Sequence, residues 1–150
     1  MDNDGVLILG VPGAGKSDLV LRLIDQPGFG TGDALIRARL VSDDQTIVER
    51  RGDALYASSP KPIAGLLEIR GHGIVAVDHI PEVRLALVVR LMPVAEIERL
   101  PENPQINRIA GVALPEIAID PTTVAAPARI RAALTGVPQD GLRQIRQGGA

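Results

Sequence analysis

The octapeptide Gly10-Val11-Pro12-Gly13-Ala14-Gly15-Lys16-Ser17 constrains this chain more than any other feature. It fits the spacing G-x-x-x-x-G-K-[ST]. It stands between an apolar run, Val6 to Leu9, and a stretch, Ser17 to Ile24, whose Leu19, Val20, Leu23 and Ile24 share one helical face. Strand, glycine-rich turn and helix in that order form the context in which this spacing makes a phosphate-binding loop. The glycines let successive backbone N–H groups turn toward an anion, and the helix start adds its positive dipole end. Lys16 is placed to reach terminal phosphates and Ser17 to offer its hydroxyl to Mg²⁺, whereas Pro12 removes one N–H from the cradle. ATP with Mg²⁺ is the ligand pair this implies. An accidental Lys-Ser after a glycine turn would account for the glycines alone.

The remainder of the chain excludes several other trades. Of its 150 residues 45% are hydrophobic, enough for one core, and that share is aliphatic except for Phe29 and Tyr56, so stacking on nucleobases is not expected. Sixteen Lys and Arg against 18 Asp and Glu leave no field to attract a nucleic-acid backbone. Without cysteine there is no disulfide, thiolate metal site or thiol nucleophile, which fits a cytoplasmic setting. The longest apolar run, Ile74 to Val77, is far short of the roughly 18–20 residues that span a bilayer, and Met1-Asp2-Asn3-Asp4 is no cationic signal opening, so a soluble, unexported protein is expected.

Along the chain the pattern is α/β. Short Val-, Ile- and Leu-rich runs predict strands at Leu35–Val41, Thr46–Glu49, Ala54–Ala57, Leu66–Ile69, Ile74–Val77, Leu85–Leu91 and Ile117–Ile119, the middle ones as a meander beside the nucleotide-binding sheet. Pro27–Asp33 predicts a loop, Ala95–Leu100 a short helix, Pro101–Pro104 a mobile surface loop and Val124–Leu134 a last helix. We expect a single domain over residues 1–135 and a flexible tail over 136–150.

A phosphoryl transferase needs a carboxylate for the metal and a base for the attacking hydroxyl. Asp43-Asp44, after Leu40-Val41, and Asp78, after Ile74 to Val77, both qualify by position. Two adjacent carboxylates held together push one pKa upward, which suits a proton acceptor, but a solvated turn would carry the same residues. Spacing alone does not choose between the two places. Glu68 and Arg70, two apart, share one face of a strand, as a metal ligand and an oxyanion contact would, or as a salt bridge would.

Read in order, Gly13-x-Gly15-Lys16-Ser17, Leu40-Val41-Ser42-Asp43-Asp44 and Leu67-Glu68-Ile69-Arg70-Gly71-His72-Gly73-Ile74 resemble the C-terminal catalytic domain of HPr kinase/phosphorylase, in the shorter form found in alphaproteobacteria. Glu68-Ile69-Arg70-Gly71-x-Gly73-Ile74 is close to that family's own signature, and the resemblance runs from Gly5 to Ile119. It implies a P-loop domain with a mixed sheet and flanking helices, of the HPr kinase and PEP carboxykinase kind. By the same resemblance, the activity is ATP-dependent phosphorylation of a serine of the phosphocarrier protein HPr, in phosphotransferase-system regulation, by a homohexamer. Lys16 then binds the transferred phosphate, Ser17 and Glu68 bind Mg²⁺, and Asp44 deprotonates the serine, with Asp43 supporting it and the metal. Arg70 and Gly71 belong to the nucleotide side, and Arg99 resembles the arginine of the family's flexible loop, which closes over the reacting phosphate. His72 and His79 are read as structural.

This chain departs from the family in three places. Between Lys16 and Asp44 it is longer than usual, with Pro27–Asp33 to hold the excess, and the family's histidine upstream of the P-loop would fall before Met1. Where the family has a proline-glycine-arginine-asparagine segment for the reverse reaction, this chain has Asp120 to Pro127, so phosphorolysis is expected to be poor unless Arg129 or Arg131 substitutes. Two rival readings are a small-molecule kinase of the nucleoside monophosphate type, whose arginine-rich lid the scattered arginines here do not make, and a non-catalytic ATP-dependent switch acting through Pro101–Pro104.

Overall fold

A single ten-residue strand, β6 (Glu82–Leu91), organises the molecule, for which a computed structural model describes residues 4–136. Here β1 (Asp4–Leu9) runs parallel along one edge of β6. The other edge is shared by β3 (Ala54–Ser58), antiparallel at the start of β6, and β8 (Val112–Ile119), parallel at its end. Outside these, β2 (Ile47–Arg51) pairs with β3 and β7 (Ile106–Ile109) with β8, completing a six-stranded mixed sheet. The outer edge of β1 carries no strand among the described residues.

A bulge decides which side chains of β6 face which layer. Gly5 pairs with Leu85 but Val6 with Leu87, so Ala86 is an extra residue in β6. Before it, Val83 and Leu85 pack with Leu55, Ala57 and Leu114; after it, Leu87, Val89 and Leu91 point to the opposite face. Without the bulge, all five odd-numbered residues would share one face. Gly5 is required there, since a Cβ on it would lie 2.7 Å from the Arg84 carbonyl oxygen.

The two helices cover the face set by Leu87, Val89 and Leu91. In α1 (Lys16–Asp25) Leu19 and Leu23 are buried one turn apart, and in α2 (Ala126–Thr135) Ile130 is. Truncating any of these leucines to alanine would cost about 2–5 kcal/mol. Each helix also sends an arginine to the other. Arg22 of α1 donates to the carbonyls of Pro121 and Thr123 ahead of α2, and Arg131 of α2 donates to those of Leu23 and Gln26 at the end of α1.

Several expectations need correction. Leu35–Val41 is not a strand: it forms only isolated bridges, Ile36 to Gly28 and Leu40 to His79, because its apolar alternation finds no full ladder. The meander is divided: β2 and β3 join the main sheet, while β4 (Leu66–Ile69) and β5 (Gly73–Ala76) form a separate ribbon. Ala95–Leu100 is not helical; only a three-residue 3-10 turn forms, at Val94–Glu96. Finally, β7 escaped the sequence pattern altogether. The expected flexible tail lies outside the described residues apart from Gly136.

Candidate functional site

The loop from Gly10 to Ser17 has the backbone its sequence predicts. Gly13 and Gly15 have φ of 81° and 99°, a left-handed region that costs glycine little, and Gly15 ends the loop as the N-cap of α1. Glycine brings no side chain to cap the helix, so the first N–H groups of α1 stay available to an anion. Lys16 folds back to donate from Nζ to the Gly10 carbonyl oxygen at 2.9 Å, inside the loop where terminal phosphates would sit.

Asp43 draws the three sequence motifs together. Its Oδ1 accepts from the Ser17 hydroxyl at 2.9 Å and its Oδ2 from the backbone N–H of Glu68 at 3.0 Å. One half-buried carboxylate thus joins the P-loop helix, the Asp-Asp segment and β4. Behind it, a cavity of about 210 Å³ extends along the open edge of β1, between Lys16 and Asp43 at one end and Arg131 at the other, with aliphatic walls such as Ile8, Ile36 and Leu40. The segment carrying Asp43 is held at the Asp43 end by these bonds and at Leu40 by its bridge to His79, beside the cavity.

The other expected residues are placed less uniformly. Asp44 is exposed and its side chain makes no hydrogen bond among the described residues, which leaves it open to an incoming hydroxyl. The Glu68 side chain is also exposed, on β4, and Arg70 lies just beyond the end of that strand, so the two-residue face rule does not reach it. Gly71, at φ 81°, makes the tight turn that leads into β5, closed by the His72 N–H on the Ile69 carbonyl oxygen at 3.0 Å. Arg99 is not brought to the P-loop: it lines a separate polar depression with Glu98, Asn103 and Gln105. Asp78 follows β5, in the ribbon rather than the main sheet, and His79 packs over Gly65.

The sequence singled out Asp120 to Pro127 only as a departure from the family, and the structural role of this loop, on the far side of the P-loop, went unread. Asp120, only 8% exposed, immediately follows β8. Its Oδ1 accepts from the Thr122 hydroxyl at 2.6 Å and the Thr122 N–H at 2.9 Å, and its Oδ2 accepts from the Val94 N–H at 2.9 Å. These donors, the Thr122 hydroxyl foremost, hold its pKa below the usual carboxylate range. Pro121 then lies 3.6 Å from where a Cβ on Gly15 would stand. Arg131 is equally committed: buried against α1, it is not free to bind phosphate in place of the family's missing arginine. The Asp-Pro-Thr-Thr composition signals a turn here, but not the bonds that Asp120 makes.

Among the described residues no cluster of three acidic or histidine side chains could hold a metal unaided. That suits Mg²⁺, which takes one or two protein ligands and completes its octahedron with waters and substrate phosphates. The Ser17 hydroxyl beside the Asp43 carboxylate could supply such a pair, and Glu68, whose backbone N–H bonds to the same carboxylate, is adjacent.

Residues 2–134 match the family described as HPr Serine kinase C-terminal domain. An HPr kinase/phosphorylase of Limosilactobacillus reuteri (strain DSM 20016) is 30% identical over 126 residues, covering 77% of this chain and 36% of the relative. That of Exiguobacterium sp. (strain ATCC BAA-1283 / AT1b) is 43% identical over 74 residues, 49% of this chain and 21% of the relative. The chain thus spans about a third of the length of the first of these relatives. The solved HPr(Ser) kinase/phosphatase of Coxiella burnetii superposes with a TM-score of 0.70 at 26% identity, over 93% of this chain and 89% of that one. With a phosphate loop, an Asp-Asp segment and a signature strand joined through one carboxylate, and with this match over nearly its whole length, the chain belongs to the HPr serine kinase C-terminal domain family.

Proposed function

We propose that this domain transfers the γ-phosphoryl group of ATP to a serine hydroxyl of HPr. The observation that carries the reading is Asp43, shared between Ser17 and the signature strand at Glu68. The P-loop amides and Lys16 bind and orient the phosphates, with Lys16 leaving the Gly10 carbonyl to do so. Arg70 and Gly71 border the nucleotide from the ribbon. When bound, Mg²⁺ neutralises charge on the β- and γ-phosphates, and Ser17, Asp43 and Glu68 are the residues that would hold it. Asp44 accepts the serine proton as the serine oxygen bonds to the γ-phosphorus and the bond to the β-phosphate oxygen breaks, releasing ADP. Arg99 closes over the transferring group from its loop, which must move inward to reach it.

Phosphorolysis is expected to be poor, because Asp120 to Pro127 offers an acid and two prolines where the family has its phosphate-wrapping segment, and Arg131 is engaged with α1. A cytoplasmic homohexamer is the assembly the family resemblance supports. The direct test is incubation with labelled ATP, Mg²⁺ and HPr, followed by nucleoside monophosphates as alternative acceptors. Label on an HPr serine is expected; label on a nucleoside monophosphate alone would replace this reading. Serine-phosphorylated HPr with millimolar phosphate should release pyrophosphate far more slowly than the forward reaction runs.

A further inference from the structure

We propose that Asp120 is a positioning residue that fixes the base of the Arg99 loop relative to the P-loop. This rests on the role given to Arg99 above. The two oxygens of Asp120 serve different masters: Oδ1 holds Thr122 in its own loop, and Oδ2 holds the Val94 N–H, the first residue of the 3-10 turn that begins the loop carrying Arg99. Two residues before Val94, the Met92 N–H still bonds to the Ile119 carbonyl at 3.0 Å, so the Asp120 carboxylate continues the β6–β8 ladder after both strands have ended.

The other side of the 120–123 loop rests on the phosphate site. Pro121 packs against Gly15, and Arg22 of α1 grips the Pro121 and Thr123 carbonyls. The helix that begins at the phosphates therefore holds the loop that holds Val94. Arg99 lies five residues beyond Val94, so an error at that anchor is carried toward the guanidinium. A misplacement of about 1 Å far from the chemistry is able to cost roughly 10²-fold in rate.

Two variants cut the same bond from opposite ends. Asp120→Asn removes the charge and one acceptor oxygen. Val94→Pro removes the donor N–H and fits the first position of the turn, and Pro93, at φ −61° and ψ 143°, already has the extended backbone that precedes a proline. Each should lower kcat for HPr phosphorylation about tenfold with KM for ATP unchanged, and raise hydrogen exchange over residues 94–105. In an Arg99→Ala background neither should lower kcat further, since the residue they position is gone. A loss that multiplies with that of Arg99→Ala, or a rise in KM for ATP of the same size, would overturn the proposal. Should wild type fail to phosphorylate HPr, the functional reading falls instead, and exchange at 94–105 that matches wild type in Val94→Pro would still overturn the anchor. Val94→Pro also keeps the question decidable if Asp120→Asn does not fold.

Discussion

Two aspartates flank the P-loop, and they are bonded in opposite ways. Asp120 is buried and its acceptors are filled by a threonine of its own loop and a neighbouring backbone amide. Asp43 is half exposed, on a segment with a cavity behind it, and one of its oxygens is held by a serine hydroxyl that a metal would claim. A carboxylate saturated by a neighbouring hydroxyl and backbone amides is architecture, because exchanging those partners would leave buried groups unpaired. A carboxylate whose partner is itself a ligand is poised for exchange. Burial and bonding, more than identity, separate the two.

The sharpest way to break this contrast is on the Asp43 side. Lys16→Ala should abolish transfer and weaken ATP binding, since it removes the cation proposed to face the terminal phosphates while touching no core contact; unchanged kinase activity would end the P-loop assignment. Asp44→Asn should lower kcat by roughly 10²–10⁴-fold with Mg-ATP binding retained, the usual worth of a positioned general base. Equal loss of nucleotide binding would make Asp44 a metal ligand, and a silent change would return attention to Asp78. If Glu68 is the proposed Mg²⁺ ligand, Glu68→Gln should raise the Mg²⁺ concentration for half activity severalfold, as a charged oxygen becomes a neutral amide. A titration superimposed on wild type would remove Glu68 from the metal.

The smallest effect belongs to Asp120, and it is one of stability against pH. Its pKa is lowered on folding, chiefly by the Thr122 hydroxyl, so its contribution is complete above the ordinary carboxylate range and is lost as pH falls below about 4 toward the folded value. The Tm advantage of wild type over Asp120→Asn should therefore be flat near neutrality and narrow on acidification. A gap that widens at low pH would mean that the carboxylate is not held in its charged form.

How much of this was legible in the sequence follows from the range of the interactions. The P-loop, α1 and the β4 signature are local patterns, and they appear where the residues place them. Leu35–Val41 has the composition of a strand, but strands need partners, and its neighbours offer it only single bridges. The Asn107-Arg108 pair hides β7, a four-residue edge strand, and Pro115 interrupts the apolar run of β8 that faces it. The roles of Asp120, Arg22 and Arg131 depend on an amide 26 residues away and on carbonyls 101 and 108 residues away, which no spacing rule encodes.

The central place of β6 also sets an order of events during synthesis. β1, which carries the chain into the P-loop, is synthesised before the strands it needs: its partner β6 is not finished until residue 91 and the parallel neighbour β8 not until residue 119. Parallel pairing across such a span is slow to close. Until then the apolar Val6 to Leu9 segment must remain out of the sheet, exposed to the wrong partners. Nascent chains halted before residue 82 should accordingly have no ATP-binding capacity, however complete their phosphate loop.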